Sequence, residues 1–248
     1  MKKFKKIWKI ISGIIIFIVC IYIAFVIYSS IYYKADDYAK ECFNSSDIVT
    51  ISEEKDYLAF VPNDYSTGII LYPGAKVEAL AYAPLMYELA KNNIACYIIK
   101  MPYNLAFFGI NRANKIIDKN PDINWYLMGH SLGGVMASSY TDKNFEKLDG
   151  LILLASYSTK DLCDNDIPIL SIYGSNDKVL NMDKYEMYKN NISKNLSELV
   201  IAGGCHAYFG SYGKQKNDGV ATITKEEQIN ITVNEINKFI INENGKTS

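Results

Sequence analysis

Apolar positions fall into one long run near the start of the chain, followed by a regular alternation of short and longer segments. From Ile10 to Tyr33 there are 24 residues without a charge, dominated by Ile, Phe, Val and Tyr. As a helix at 1.5 Å per residue the run reaches roughly 36 Å, more than the roughly 30 Å of hydrocarbon in a bilayer. It predicts an uncleaved membrane-spanning helix. A cleaved signal peptide would carry a shorter apolar region, about 7–15 residues, ending at a small-residue site, and Ser29-Ser30-Ile31 serves poorly as one.

Beyond Asn44-Ser45-Ser46 the pattern changes. Tyr57 to Val61 and Gly68 to Tyr72 read as strands on either side of the turn-like Pro62-Asn63-Asp64-Tyr65-Ser66. Leu80 to Lys91 reads as a helix, and Ile94 to Ile99 as a β-branched strand covered on both faces. Residues 110–119 read as helical, Trp125 to Met128 as a strand, and Leu132 to Tyr140 as a helix. Leu151 to Ala155, Pro168 to Tyr173 and Leu199 to Ala202 are three further strands, with helices at Met182 to Asn191 and Glu226 to Ile241. Thr224 followed three residues later by Glu227 makes a capping-box start for the last helix. Strands alternating with helices imply an α/β fold, a mostly parallel sheet with helices on both faces. The expected organisation is an anchor over residues 1–34, a linker and first-strand region over 35–56, and the main domain over 57–248.

Charge sharpens this picture. The net charge of -1 hides an asymmetry: residues 1–34 hold six lysines and no acid, and the remainder holds 20 basic against 27 acidic residues. An acidic body offers no electrostatic footprint for nucleic acid, so no nucleic-acid partner is expected. Five lysines precede the apolar run, while Lys34 follows it together with Asp36 and Asp37. That bias predicts a single-pass plasma-membrane protein, anchored through residues 10–33, with a cytoplasmic amino terminus and the body outside. Trp8 and the tyrosines at 28, 32 and 33 suit the interfacial levels at either end. Cys42, Cys96, Cys163 and Cys205 lie beyond the run with no spacing that suggests a disulfide framework, so free or partly paired thiols are expected.

The most restrictive count is that of histidine: there are two, His130 and His206. With no Cys-x-x-Cys pair and so few imidazoles, no zinc spacing can be built, and no metal is expected. Gly129-His130-Ser131-Leu132-Gly133-Gly134 follows a predicted strand and opens a predicted helix. Gly-x-Ser-x-Gly in that setting holds a serine hydroxyl out from a sharp turn at the carboxyl edge of the sheet. A serine needs a base to remove its proton. The tight turn sends His130 away from Ser131, which leaves His206, in the glycine-rich loop after the last strand. The base needs a carboxylate to orient it. Asp177, in Tyr173-Gly174-Ser175-Asn176-Asp177, follows the preceding strand at the same edge; Asp161, Asp164 and Asp166 are its rivals.

The order Ser131, Asp177, His206, each beyond a successive strand, is the nucleophile–acid–base order of the α/β-hydrolases. Residues 57–242 resemble that superfamily. The stretch from Gly203 to Gln228, with His206-Ala207-Tyr208-Phe209-Gly210 and Asp218-Gly219, resembles small bacterial hydrolases of the dienelactone-hydrolase type. Within the resemblance, Tyr72-Pro73-Gly74-Ala75-Lys76-Val77 matches the loop that supplies an oxyanion donor. Either Ala75 or Lys76 would give its N–H, with Leu132 N–H as the second donor. Departures are the missing His-Gly pair in that loop and Cys205 beside the base.

Between Ala155 and Pro168 the connection is too short for a cap domain, so the site is expected to be open, with Tyr103, Phe107 and Tyr208 among the residues of its walls. The activity expected from these residues is hydrolysis of a carboxylic ester of a small molecule through an acyl-enzyme, with no cofactor. A thioesterase, amidase or transacylase would use the same residues. A catalytically idle surface-binding module would keep the fold without the chemistry.

Overall fold

In the computed structural model, which describes residues 2–192 and 196–245, packing separates residues 1–32 from residues 33–248. The first unit is one helix, α1 (Lys2–Ser30). Within Phe4–Ser30, its most apolar 18-residue window has a mean hydropathy of 3.1. Among the described residues it is the one helix long and apolar enough to cross a membrane, a test that a signal sequence near the amino terminus also passes.

The second unit is built on eight strands among the described residues: β1 (Val49–Glu53), β2 (Tyr57–Pro62), β3 (Thr67–Tyr72), β4 (Ile94–Ile99), β5 (Asn124–His130), β6 (Gly150–Leu154), β7 (Ile169–Gly174) and β8 (Leu196–Ile201). They form one sheet in the order β1-β2-β4-β3-β5-β6-β7-β8. The pairs β1–β2 and β2–β4 are antiparallel and the rest are parallel. This is the mostly parallel α/β sheet expected from the alternation. The helices that accompany the strands are α2 (Asp37–Glu41), α3 (Ala83–Ala90), α4 (Asn114–Ile117), α5 (Leu132–Asn144), α6 (Met182–Tyr188) and α7 (Lys225–Asn244).

Alternate residues of each strand feed opposite faces. Ile69 and Leu71 join a core with Leu85 and Leu89 of α3 and Ile229 and Ile236 of α7, while Ile70 and Tyr72 join another with Ala137 and Tyr140 of α5. Every residue of β3, β4 and β6 is buried, which is why these strands read as continuous apolar runs. Each fully buried Ile or Leu contributes about 1.5–3 kcal/mol against conformational entropy.

Some elements differ from the sequence expectation. The helix expected over 110–119 is a 3₁₀ turn, Ile110–Ala113, running into the single turn of α4. The Tyr72 hydroxyl donates to the Ile110 carbonyl and accepts from the Ala113 N–H, so a side chain replaces part of the helical ladder. The helix expected from Leu80 begins as a 3₁₀ turn, Ala79–Tyr82, before α3. The capping box of α7 is formed: Thr224 Oγ1 accepts from Glu227 N–H while the Glu227 carboxylate accepts from Thr224 N–H.

The segment leading into the sheet is seated on the domain. Asp36 caps α2, and Ala35, Ala39 and Val49 are buried. Tyr33 N–H donates to the Lys76 carbonyl at 2.7 Å, and Glu78 N–H donates to the Tyr33 carbonyl at 2.9 Å. Lys225 Nζ, at the start of α7, donates to Asp36 Oδ2 at 2.6 Å and to Ser211 Oγ at 2.7 Å. Among the described residues no two cysteines are joined by a disulfide.

Candidate active site

Register brings the chemistry to one edge. Tyr72 lies opposite Gly129, His130 opposite Leu154, and Gly174 opposite Ile201. The loops that leave β3, β5, β6, β7 and β8 therefore emerge at the same level, at the carboxyl ends of the parallel strands.

Ser131 sits between β5 and α5 with φ 52° and ψ −124°. An L-residue with positive φ stores strain, and here neighbouring backbone enforces it. Ser131 N–H donates to the Leu154 carbonyl at 2.9 Å, and the Ser131 carbonyl accepts from Ser156 Oγ at 2.7 Å and Gly134 N–H at 3.0 Å. The flanking glycines are required by close approach. A Cβ on Gly129 would lie 2.5 Å from Gly133 backbone, and one on Gly133 would run into the Tyr72 carbonyl oxygen.

His206 and Asp177 meet as a buried pair. His206 Nδ1 lies 2.8 Å from Asp177 Oδ2, with both side chains 1% exposed. The other carboxylate oxygen, Oδ1, accepts from the N–H groups of Val179 and Leu180, each at 2.8 Å. Those bonds fix the carboxylate plane, and His206 Nδ1–H donates to it, leaving Nε2 as the free lone pair. His206 Nε2 is buried with no hydrogen-bond partner among the described residues. The rival aspartates lie elsewhere, in the return to β7, where Asp161 Oδ1 accepts from Cys163 N–H.

The loop carrying His206 has its own clamps. Asp218 accepts from the N–H groups of His206 and Ala207, at 3.2 and 2.8 Å. The fully buried Gln228 of α7 exchanges two hydrogen bonds with the backbone of Cys205, at 3.0 and 2.9 Å. Burial, reinforced by the charge of Asp218, pushes the Cys205 thiol up to about 12, so it stays protonated beside the base.

His130 is held differently. Its Nδ1 lies 2.8 Å from the Tyr82 hydroxyl, which also accepts from Gly74 N–H at 2.9 Å. With one proton on the phenol and one on the amide, Tyr82 donates to Nδ1 and the imidazole carries its proton on Nε2. Burial, and secondarily the neighbouring His206, hold His130 well below the ordinary histidine range. It is a neutral ring packed 4.5 Å, centroid to centroid, from that of His206.

The same network sorts the N–H groups of the loop after β3. Gly74 N–H is taken by Tyr82, and Lys76 N–H donates to the Asn104 carbonyl at 2.7 Å. Between the two alternatives the sequence left open, Ala75 is the one whose N–H is not committed to either bond.

Ser131 and His206 line one cavity of about 230 Å³, with Leu132, Val135, Ala155, Val179 and Leu180 among its apolar walls. Ser156 lines it too, as do Tyr157 and Asn181. Neither of the last two was singled out by sequence reasoning; the signal available was position, since they follow β6 and β7 at the edge that holds the serine. The connection after β6 holds a single 3₁₀ turn, Cys163–Asn165, and no cap. Of the residues expected as walls, Tyr103 and Phe107 lie in the loop after β4, outside this lining. Tyr208 lines a second cavity with Cys205, Asp218 and Gln215. Among the described residues no group of three or more His, Cys, Asp or Glu is placed to hold a metal ion.

A sheet in this strand order, with a strained serine after β5 and a histidine–aspartate pair after β8 and β7, defines the class of α/β-hydrolase folds. The profile of the alpha/beta hydrolase family matches residues 68–230, and the chain belongs to that family. No curated protein sequence matches the chain. Among solved structures, a predicted CIB-like hydrolase from Thermoplasma acidophilum is 18% identical with a TM-score of 0.56, over 76% of this chain and 98% of that one. Est1E from Butyrivibrio proteoclasticus is 13% identical with a TM-score of 0.58, over 80% of this chain and 100% of its own. A soluble variant of monoglyceride lipase from Saccharomyces cerevisiae, solved with a substrate analogue, is 11% identical with a TM-score of 0.60, over 80% and 97%. These likenesses are of fold.

Proposed function

We propose that the protein is a membrane-anchored serine hydrolase of carboxylic esters. Ser131 Oγ attacks the acyl carbonyl while His206 Nε2 takes its proton. The C–O bond of the tetrahedral adduct then breaks, and His206 returns the proton to the departing alcohol. Water repeats the sequence on the acyl-serine, releasing the acid. Asp177 fixes the imidazole tautomer and stabilises the imidazolium that forms. The N–H groups of Ala75 and Leu132 hold the oxyanion, a role worth roughly 3–4 kcal/mol per donor in known cases. Helix α1 supplies the anchor.

The observation that carries this reading is the unpartnered Nε2 of His206, held by the buried Asp177 pair, in the cavity it shares with Ser131. A fluorophosphonate probe should label the full chain at Ser131. Ser131→Ala should leave the fold intact, because a methyl fits where the hydroxyl stands, and should lower ester turnover by about three orders of magnitude or more. Turnover of p-nitrophenyl butyrate within about tenfold of the parent would remove Ser131 as the nucleophile.

A further inference from the structure

The loop after β4 presents three large aromatic side chains to solvent. Tyr103, Phe107 and Phe108 are 44%, 45% and 46% exposed. Their rings pack on one another, with centroids 4.3 Å apart for Phe107–Phe108 and 5.5 Å for Tyr103–Phe108. Exposed aromatic clusters of this kind mark surfaces that meet something apolar. Tyr103 and Asn104 both hold positive φ, 57° and 54°, and the turn they make delivers the Asn104 carbonyl to Lys76 N–H. The cluster is thereby fastened to the loop that contains Ala75, which leaves the sheet at the same carboxyl edge as Ser131.

The carbonyl of that same Lys76 accepts from Tyr33 N–H. In sequence only Ile31 and Tyr32 separate Tyr33 from the end of α1 at Ser30. Three residue steps of extended chain reach no more than about 11 Å. The tether between α1 and the body is therefore short, and it is fastened through Tyr33 to Lys76, the same residue that holds the turn of the aromatic cluster.

We infer that the carboxyl edge of the sheet docks on the bilayer through Tyr103, Phe107 and Phe108, and that the substrate is the acyl ester of a membrane-resident lipid. Aromatic rings suit the headgroup level of a bilayer, where one side of the ring is apolar and the other wet. A short tether keeps the docking surface at high effective concentration against the membrane, so a modest patch suffices. The cavity walls Leu132, Val135, Ala155, Val179 and Leu180 take an acyl chain, and the absence of a cap over the described connection after β6 leaves the mouth open to receive it. This inference rests on the anchored serine-hydrolase reading and deepens it by naming the substrate class.

The test uses the full chain reconstituted in phosphatidylglycerol vesicles, with p-nitrophenyl palmitate dissolved in the bilayer and p-nitrophenyl butyrate in the buffer. The parent protein should turn over both esters. The ratio of bilayer to soluble turnover should fall at least tenfold in F107S/F108S. A second measurement does not depend on activity: the extra tryptophan emission of F107W, relative to the parent, should be quenched by lipids brominated along their acyl chains. An unchanged ratio in F107S/F108S overturns the inference, as does unquenched F107W emission. Butyrate turnover without palmitate turnover by the parent overturns it alone; no turnover of either ester overturns it together with the hydrolase reading.

Discussion

His130 and His206 are both about 1% exposed and face each other across 4.5 Å, and their surroundings give them opposite properties. At His206, Nδ1 meets a carboxylate that two backbone amides hold in place. At His130, Nδ1 meets a phenol, and the loss of water outweighs the backbone hydrogen bond at His206 that favours the charged ring. In the proposed mechanism one ring accepts a proton; the other is held neutral by burial. Two imidazoles this close cannot both be charged cheaply. In the proposed mechanism a neutral His130 spares the imidazolium of His206 a like charge at the moment it forms. The phenol bonded to His130 Nδ1 also anchors Gly74, next to the proposed oxyanion donor.

This contrast can be broken on the His206 side first. Asp177→Asn keeps the shape and removes the charge, and by precedent in another triad kcat should fall by about 10⁴. Asp161→Asn, Asp164→Asn and Asp166→Asn should stay within a few fold of the parent. Measuring kcat for all four variants on one ester decides the assignment. A large loss at residue 161, 164 or 166 with a small one at 177 would transfer the role.

A smaller loss is expected from Asp218→Asn. It removes charge-assisted bonds to the N–H groups of His206 and Ala207 while leaving the Asp177 pair in place. A displacement of the base near 1 Å costs on the order of 100-fold in rate. The loss should appear in kcat rather than KM, and kcat equal to the parent's would remove Asp218 as a support of the base.

On the other side, Tyr82→Phe leaves Gly74 N–H and His130 Nδ1 buried without their shared partner. Stability in a urea titration should drop by about 1–3 kcal/mol. Turnover should drop about tenfold, since the loop that carries Ala75 loses one of its two fixed neighbours. A stable Y82F variant with full turnover would detach His130 and Tyr82 from the oxyanion loop.

The smallest effect is the most specific to His130. Its folded-state affinity for protons is depressed, so below about pH 6.5 the unfolded chain binds a proton at residue 130 that the folded chain refuses. Its contribution to stability is constant above that value and is lost as pH falls through it, at up to about 1.4 kcal/mol per pH unit. Comparing unfolding free energies of the parent and His130→Gln between about pH 7.5 and 5.0 isolates this term, because the variant lacks that slope. Parallel curves would show that His130 titrates in the folded protein as it does in the unfolded chain.

Much of this site is legible in the order of its amino acids, for identifiable reasons. Strands buried on both faces leave continuous apolar runs, so β3, β4, β6 and β7 announce themselves. The elbow is readable because its backbone demands glycine at 129 and 133, and a two-histidine chain leaves few choices of base. What stayed hidden lacks periodicity. Strand β1 buries only Val49, and α2 is a five-residue helix set by its Asp36 cap, so neither produces a repeating pattern. Strand β8, at the sheet edge, has one fully buried residue, Ile201, and its start at Leu196 leaves no mark in the hydrophobicity. The roles of Tyr82 and Asn104 depend on contacts with residues 48 and 28 positions away, which no local reading supplies.

The contact between Lys225 and Asp36 joins residues 189 positions apart. A ribosome adding about 5–20 residues per second needs about 10–40 s to make the intervening chain. Throughout that interval the segment after α1 has its bonds to Lys76 and Glu78 within reach but lacks its ionic latch, which closes late in synthesis. A chain truncated before Lys225 would retain its apolar helix and its nucleophile, yet leave the segment between them without its ionic latch.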